Sequence, residues 1–472
     1  MIDLSSMAGR IVALLGLGRS GLAAARALHA AGADLRAWDD DPARRAVAEA
    51  EGLPLADLAA HDWTGTASLV LAPGIPDRFP APHPVAAAAR AAGVEIVGDI
   101  ELLARAAPEG RFAGLTGTNG KSTTTALLGH ILAQAGQAPQ VGGNLGPPVS
   151  AFEPAPRDGL YVLEMSSYQL ERTPSMIFEV AVLLNITPDH LDRHGGLDGY
   201  IAAKRRIFQG QRVGDTAIVG VDDAICAGLY HELAANAPTR VVPISAQGPA
   251  PGGVYAEDGR LIDDLDGNAA AVLDLSDCAA LPGAHNAQNA AAAYAAARAL
   301  GVPGATVATA LRSFPGLAHR QELVAEIDGI RFVNDSKATN AQAAATALAA
   351  YPTVYWIAGG RAKDGGLAGT EPYWARVGRA FLIGEAAAPF AESLNAAGVP
   401  ACVCGTLTSA VRAAWDAATA EARPGAVVLL APACASFDQF SDFEARGEAF
   451  RTAVQALPGA PGDGRAAAGG AP

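Results

Sequence analysis

At 472 residues the chain has room for about three domains, and with half of its residues hydrophobic each can bury a core of its own. A formal net charge of −14 excludes nucleic acid and anionic membranes as partners, because phosphate polymers require a basic face; small anionic substrates must then be caught by local pockets. The five cysteines, at 226, 278, 402, 404 and 434, form no zinc-ligand pattern, since Cys402-x-Cys404 lacks a second pair, and they read as reduced thiols of a cytoplasmic protein.

Two apolar stretches fail as targeting or membrane segments. Residues 11–17 are too few and run into a glycine fingerprint, and the uncharged span 338–360 contains Asn340, Gln342 and Pro352. Lysine occurs only at 121, 204, 337 and 363, and every other basic residue except histidine is arginine. A chain that uses arginine for generic positive charge keeps lysine where a guanidinium fork cannot serve, so all four lysines are candidate site residues.

In chain order, the run 11–15 is a buried strand, followed by Gly16-Leu-Gly18-Arg19-Ser20-Gly21, a helical stretch to Ala31, and a second strand that delivers Asp39-Asp40-Asp41. This βαβ unit carries an acid about where a dinucleotide fingerprint expects one, and alone it reads as a Rossmann oxidoreductase using NAD. A second nucleotide loop argues otherwise. Phe112-Ala113 leads into Gly114-Leu-Thr-Gly117-Thr118-Asn119-Gly120-Lys121-Ser122-Thr123 and a helix-favouring segment. Strand, glycine loop and helix cradle phosphate through backbone N–H groups and the positive end of the helix, with Lys121 for the terminal phosphates and Ser122 for Mg²⁺. The strict P-loop pattern fails at Leu115, and G-T-N-G-K-S-T stands in its place.

Downstream, Gly142-Gly143-Asn144 supplies a turn with an amide. Residues 160–163 form a strand ending in Glu164-Met-Ser-Ser-Tyr-Gln169, and a carboxylate at that position can hold Mg²⁺ as a Walker-B acid does. The strand 180–184 leads to Asn185-Ile-Thr-Pro-Asp189-His190-Leu-Asp192-Arg193-His194, and Lys204 follows in a helix. Asn286 and Asn289, three apart, share a helix face. A junction falls near Pro315-Gly316, before His319-Arg320. Then come a strand at 330–333, the heptad Asn334-Asp335-Ser336-Lys337-Ala338-Thr339-Asn340, a strand and glycine turn ending at Lys363, and Cys434-Ala-Ser436-Phe437-Asp438-Gln439-Phe440-Ser-Asp-Phe443-Glu444-x-Arg446-Gly447. Residues 458–472 form a Gly/Ala/Pro tail that reads as disordered.

These motifs, in this order from residue 11 to about 450, resemble the Mur ligases, the ATP-dependent enzymes that add amino acids to the peptidoglycan precursor. Folylpolyglutamate synthase-like ligases are their cousins. The heptad resembles the D-glutamate-adding member, where other relatives carry D-x-x-H-x-P sequences. The resemblance implies an α/β chain of three domains: a Rossmann-like N-terminal UDP-precursor-binding domain (1–109), a central P-loop ATPase domain with a mainly parallel sheet (110–317), and a C-terminal Rossmann-like D-glutamate-binding domain (318–457). It implies ATP at residues 117–123, Asn286, Asn289, Arg320 and Asp335, and the precursor UDP-N-acetylmuramoyl-L-alanine at Gly18, Arg19, Ser20, Gly21, Asp39, Asn144 and Gln169. D-glutamate is expected at Lys337, Thr339, Lys363, Ser436, Phe437 and Phe443. Two Mg²⁺ ions are expected at Ser122, Glu164, His190 and a CO₂-derived carbamate on Lys204, with Lys121, Lys204, His190 and Glu164 catalytic. The family also suggests a monomer. Remoter readings are the NAD oxidoreductase and a non-catalytic UDP-sugar sensor.

Overall fold

The computed structural model describes residues 1–363 and 365–460, so the expected tail falls mainly outside the described residues. Within its first positions Ala460 is buried and its N–H donates to Leu457 O at 3.2 Å. The chain packs as two compact units, residues 1–278 with 284–314, and residues 279–283 with 315–460.

The first unit contains two sheets. Strands β1 (Ile11–Leu15), β2 (Asp34–Trp38), β3 (Thr66–Leu71) and β4 (Glu95–Val97) form an all-parallel sheet in the order β2-β1-β3-β4. The strand order reverses between β1 and β3, and ligands of open α/β sheets bind in the crevice beyond the carboxyl ends at such a point. The turn 16–21 after β1 and the turn 72–75 after β3 both lie there. Gly21 is obligatory in that turn, because a Cβ on it would overlap Gly16 O.

The second sheet is built from β5 (Arg111–Thr116), β6 (Gln140–Gly143), β7 (Leu160–Glu164), β8 (Val180–Leu183), β9 (Thr216–Gly220), β10 (Arg240–Ser245), β11 (Val254–Glu257), β12 (Arg260–Asp263) and β13 (Ala270–Asp274). Its order is β13-β12-β11-β10-β9-β8-β5-β7-β6, parallel except for the pairings β11–β12 and β12–β13. Since β5 lies between β7 and β8, with Leu115 opposite Glu164 and Thr116 opposite Leu183, the loops after these three strands emerge side by side.

The two sheets share one apolar core, in which Val97, Ile100 and Leu103 cluster with Phe152 and Met165. Arg172, 3 % exposed, crosses from the segment after β7 to the turn after β3 and donates to Ala72 O (2.9 Å), Ile75 O (2.6 Å) and Asp77 Oδ1 (3.1 Å).

The second unit is a six-stranded sheet of β14 (Glu322–Ile327), β15 (Ile330–Asn334), β16 (Thr353–Gly359), β17 (Val377–Ile383), β18 (Ala401–Gly405) and β19 (Ala426–Leu430), in the order β14-β15-β19-β16-β17-β18. Only β14–β15 is antiparallel. Alternation along β16 sends Val354, Trp356 and Ala358 into one apolar layer and Tyr355 and Ile357 into the other, as a sheet covered on both faces requires. Among the described residues no helix is long and apolar enough to cross a membrane.

Candidate active site

The phosphate loop takes its shape from two glycines in the left-handed region, Gly117 (φ 157°) and Gly120 (φ 83°), before the helix Lys121–Gln134. A Cβ on Gly120 would collide with Asn289 Oδ1. Lys121 folds back over the loop and its Nζ donates to Gly117 O and Thr118 O, both at 2.8 Å. Two neighbouring segments fix the loop. Asn185 accepts from Thr118 N at its carbonyl and from Asn119 N at its side chain, each at 2.9 Å. On the other side Thr124 Oγ1 donates to Gly120 O (3.0 Å) and Asn289 Oδ1 (3.2 Å), and Asn289 Nδ2 donates to Asn286 Oδ1 (2.9 Å). Asn286 and Asn289 therefore share a face and sit buried against the base of the loop. Thr123 is buried beside them, while Ser122 stands half-buried at the helix start.

Glu164 ends β7 with its side chain buried. Its Oε1 accepts from Asn144 Nδ2 at 2.5 Å, and its Oε2 has no hydrogen-bond partner among the described residues. A buried carboxylate oxygen without a partner is costly, and an added cation would remove that cost. Lys204, 2 % exposed, donates to Gly117 O at 2.7 Å and lies near Thr116 Oγ1 at 3.5 Å, with its Nζ 4.8 Å from the Tyr200 ring centroid. Burial, then the Lys121 charge, lowers the Lys204 pKa to about 6. His190 is exposed, with φ 50° and its ring 5.3 Å from that of Tyr168. His194, the last residue of the same motif, is buried between Glu171 (3.1 Å) and Ser167 (2.9 Å) and stacks on Tyr168, a structural histidine. Among the described residues no three His, Cys, Asp or Glu side chains converge as a metal site.

At the switch point of the first sheet, Gly18 caps the helix Arg19–Ala30, whose first two residues are exposed and half-buried. Asp39, 5 % exposed, accepts from Leu17 N (2.6 Å) and Asp41 N (2.9 Å) and lies 3.4 Å from Arg44 Nη1, so its carboxylate first organises the fingerprint turn. Gln169 is buried and forms a reciprocal cap with Ser166, while Asn144 is exposed.

In the second unit Asn334 to Asn340 form a tight turn after β15. Lys337 is exposed, with its Nζ 3.9 Å from the Phe443 ring centroid. Thr339 is half-buried, Ser436 is buried, and Lys363 and Phe437 are exposed. Asp335 is buried and accepts from Gln321 N at 3.3 Å; burial raises its pKa to about 6 against the opposing charge of Arg320, which belongs to this unit.

Sequence reasoning missed three supports of these sites. Tyr200 OH meets Thr118 Oγ1 at 3.1 Å, and its spacing of four from Lys204 on one helix was a readable signal. Asn185 opened the Asp189-His190 motif without a role of its own, and Arg172 carried no pattern.

Comparison with known proteins fits this geometry. The Mur ligase middle domain model matches residues 115–297, and the model described as Mur ligase, glutamate ligase domain matches 319–434. Proteins named UDP-N-acetylmuramoylalanine--D-glutamate ligase are 55 % identical in Rhodospirillum rubrum, over 97 % of both chains, and 53 % identical in Caulobacter vibrioides, over 99 % of this chain and 100 % of that one. In fold, the UDP-N-acetylmuramate-alanine ligase of Thermotoga maritima covers 94 % of this chain and 99 % of its own at 19 % identity with a TM-score of 0.56. By near-full-length identity and by the two domain models that span the phosphate loop and the Lys337 turn, the chain belongs to the Mur ligase family, in its UDP-N-acetylmuramoylalanine--D-glutamate ligase branch.

Proposed function

We propose that the chain joins D-glutamate to UDP-N-acetylmuramoyl-L-alanine in an ATP-driven step of peptidoglycan synthesis. The observation that carries this is the 55 % identity over 97 % of both chains with a ligase of that name. The first sheet would take the UDP part, with residues 18–21 at the diphosphate and Asp39 near the uracil or ribose, while Asn144 and Gln169 face the muramoyl end. The loop 117–123 would hold ATP, Asn286 and Asn289 would stand toward its nucleoside, and Arg320 and Asp335 are assigned to ATP as well. Lys337, Thr339, Lys363, Ser436, Phe437 and Phe443 would hold D-glutamate.

The precursor carboxylate attacks the γ-phosphorus of ATP and ADP leaves. The amine of D-glutamate then adds to the acyl phosphate, the C–N bond forms, and phosphate departs as the amine loses its proton. The reaction handles several anions, and Lys121 in the first unit and Arg320, Lys337 and Lys363 in the second each supply a positive charge to oppose them. Glu164, Ser122 and His190 would hold Mg²⁺, which when bound neutralises charge on the transferring phosphoryl group. Glu164 Oε2, buried and unpartnered, fits such an ion.

Lys204 completes the donor set if its amine adds to CO₂, giving an N-carboxylate and releasing one proton. Its place fits that modification: a buried amine among neutral oxygens, poorly suited to staying an ammonium. Five free thiols support action in the cytoplasm, and a monomer suffices for the reaction. The test is phosphate release that requires ATP, the muramoyl precursor and D-glutamate together. Release without D-glutamate, or none at all, would refute the assignment.

A further inference from the structure

Beneath the Lys337 turn lies a buried cation that the proposed chemistry does not use. Arg446, in the helix Phe443–Gln455, is 1 % exposed and forms no ion pair among the described residues. Its three donors reach neutral oxygens on two separate loops: Nε to Ser336 Oγ (3.0 Å), Nη2 to Ser336 O (2.9 Å) and Nη1 to Cys434 O (3.1 Å). Ser336 Oγ in turn donates to Phe443 O at 2.8 Å. One guanidinium thus ties together the residue before Lys337, the residue two before Ser436, and the start of the helix that presents Phe443. The carboxylate of Asp438, whose charge acts on Arg446 without a hydrogen bond between them, accepts instead from Glu385 N at 3.0 Å.

Leaving a guanidinium in a dry interior without a carboxylate is unfavourable, and arginine is almost never fully buried unless paired. A merely structural tie between these loops could be made by neutral side chains at lower cost. A retained positive charge has a use where the ligand above it is a dianion. We propose that Arg446 is a positioning residue for the amino-acid substrate, setting Lys337 and Ser436 at one spacing and adding positive potential that favours a dicarboxylate over a monocarboxylate. This rests on the D-glutamate reading above. It adds that the selectivity for a second carboxylate comes partly from a residue that never touches the substrate.

The test compares wild type, Arg446→Lys, Arg446→Gln and Ser336→Ala for the KM of D-glutamate, ATP and the muramoyl precursor, with thermal unfolding as a folding control. Arg446→Gln should raise the D-glutamate KM at least tenfold while the other two KM values stay within about twofold. Arg446→Lys, which keeps the charge, should recover most of the loss. Ser336→Ala should raise the D-glutamate KM about threefold. Equal D-glutamate KM values in wild type and folded Arg446→Gln, or no recovery in folded Arg446→Lys, would overturn the proposal. If Arg446→Gln does not fold, an unchanged D-glutamate KM in folded Ser336→Ala overturns it. A wild-type enzyme that does not consume D-glutamate would instead refute the functional reading itself.

Discussion

Replacing Lys204 by methionine should inactivate the enzyme and make its first unit more stable, by an amount that depends on pH in a calculable way. In the unfolded chain the amine binds its proton up to an ordinary pKa of 10.5, whereas burial, then Lys121, lowers the folded value to about 6. Between these values the unfolded state holds the extra proton, so the native state gains stability as pH rises and suffers the full penalty below about 6. At pH 7.5 the gap to 10.5 is about 3 pK units, or roughly 4 kcal/mol of cost that a neutral thioether does not incur. Against this, methionine loses the bond to Gly117 O, about 1 kcal/mol, since that carbonyl still accepts from Lys121. The net expectation is a gain of about 3 kcal/mol at pH 7.5, shrinking by about 1.4 kcal/mol per pH unit and gone near pH 10. Urea unfolding of both proteins from pH 7 to 10, in chelator and CO₂-free buffer so that the amine is unmodified, measures it. A pH-independent difference, or a less stable variant at pH 7.5, would show that the amine is not held neutral in the fold.

Three further outcomes are expected. Lys121→Ala should abolish turnover yet leave precursor affinity, measured by calorimetry, within a few-fold, because the precursor is assigned to the other sheet of the unit; a matching loss of affinity would contradict that division. Glu164→Gln, which keeps the bond partner of Asn144 but removes the unpaired negative charge, should raise the Mg²⁺ concentration for half-maximal rate at least tenfold, and an unchanged Mg²⁺ titration would remove Glu164 from the metal site. Gly447→Ala should destabilise the second unit by about 1 to 3 kcal/mol, because its Cβ would overlap the buried His319 ring, and a melt identical to wild type would contradict the packing described.

The parts of this fold that were legible in the sequence are those whose signal is local. A strand run, a glycine loop and a helix-forming stretch are contiguous at 112–134, and the loop formed where that order required it. Glu164 and Asn185 read correctly as strand-end residues, and a parallel sheet then brings such ends together without further instruction. The hairpin β11–β12 is equally readable, since Asp258-Gly259 takes the two positive φ values, 49° and 77°, that favour this pair in a tight turn. The burial of Arg172 and Arg446 was not legible. Arginine is exposed so often that only tertiary packing identifies the two that are 3 % and 1 % exposed here. The union of the first two sheets into one unit was hidden for a similar reason, since Ile100 and Leu103 read as the inner face of any helix.

That union bears on how this protein can be divided. Residues 1–109 look like a portable nucleotide-binding module, yet their helix Asp99–Ala106 buries Ile100, Leu102 and Leu103 in a core partly supplied by Phe152, Met165 and Leu170. The carboxylate of Glu101 likewise accepts from Ser175 Oγ, in the segment before β8, at 2.6 Å. Cut away there, the fragment would present a bare apolar face to water, the kind of surface that favours self-association over solubility. A useful truncation must therefore keep residues 1–314 together, and a graft of the first sheet onto another ligase must meet an arginine placed as Arg172 is, since that sheet holds only its acceptors.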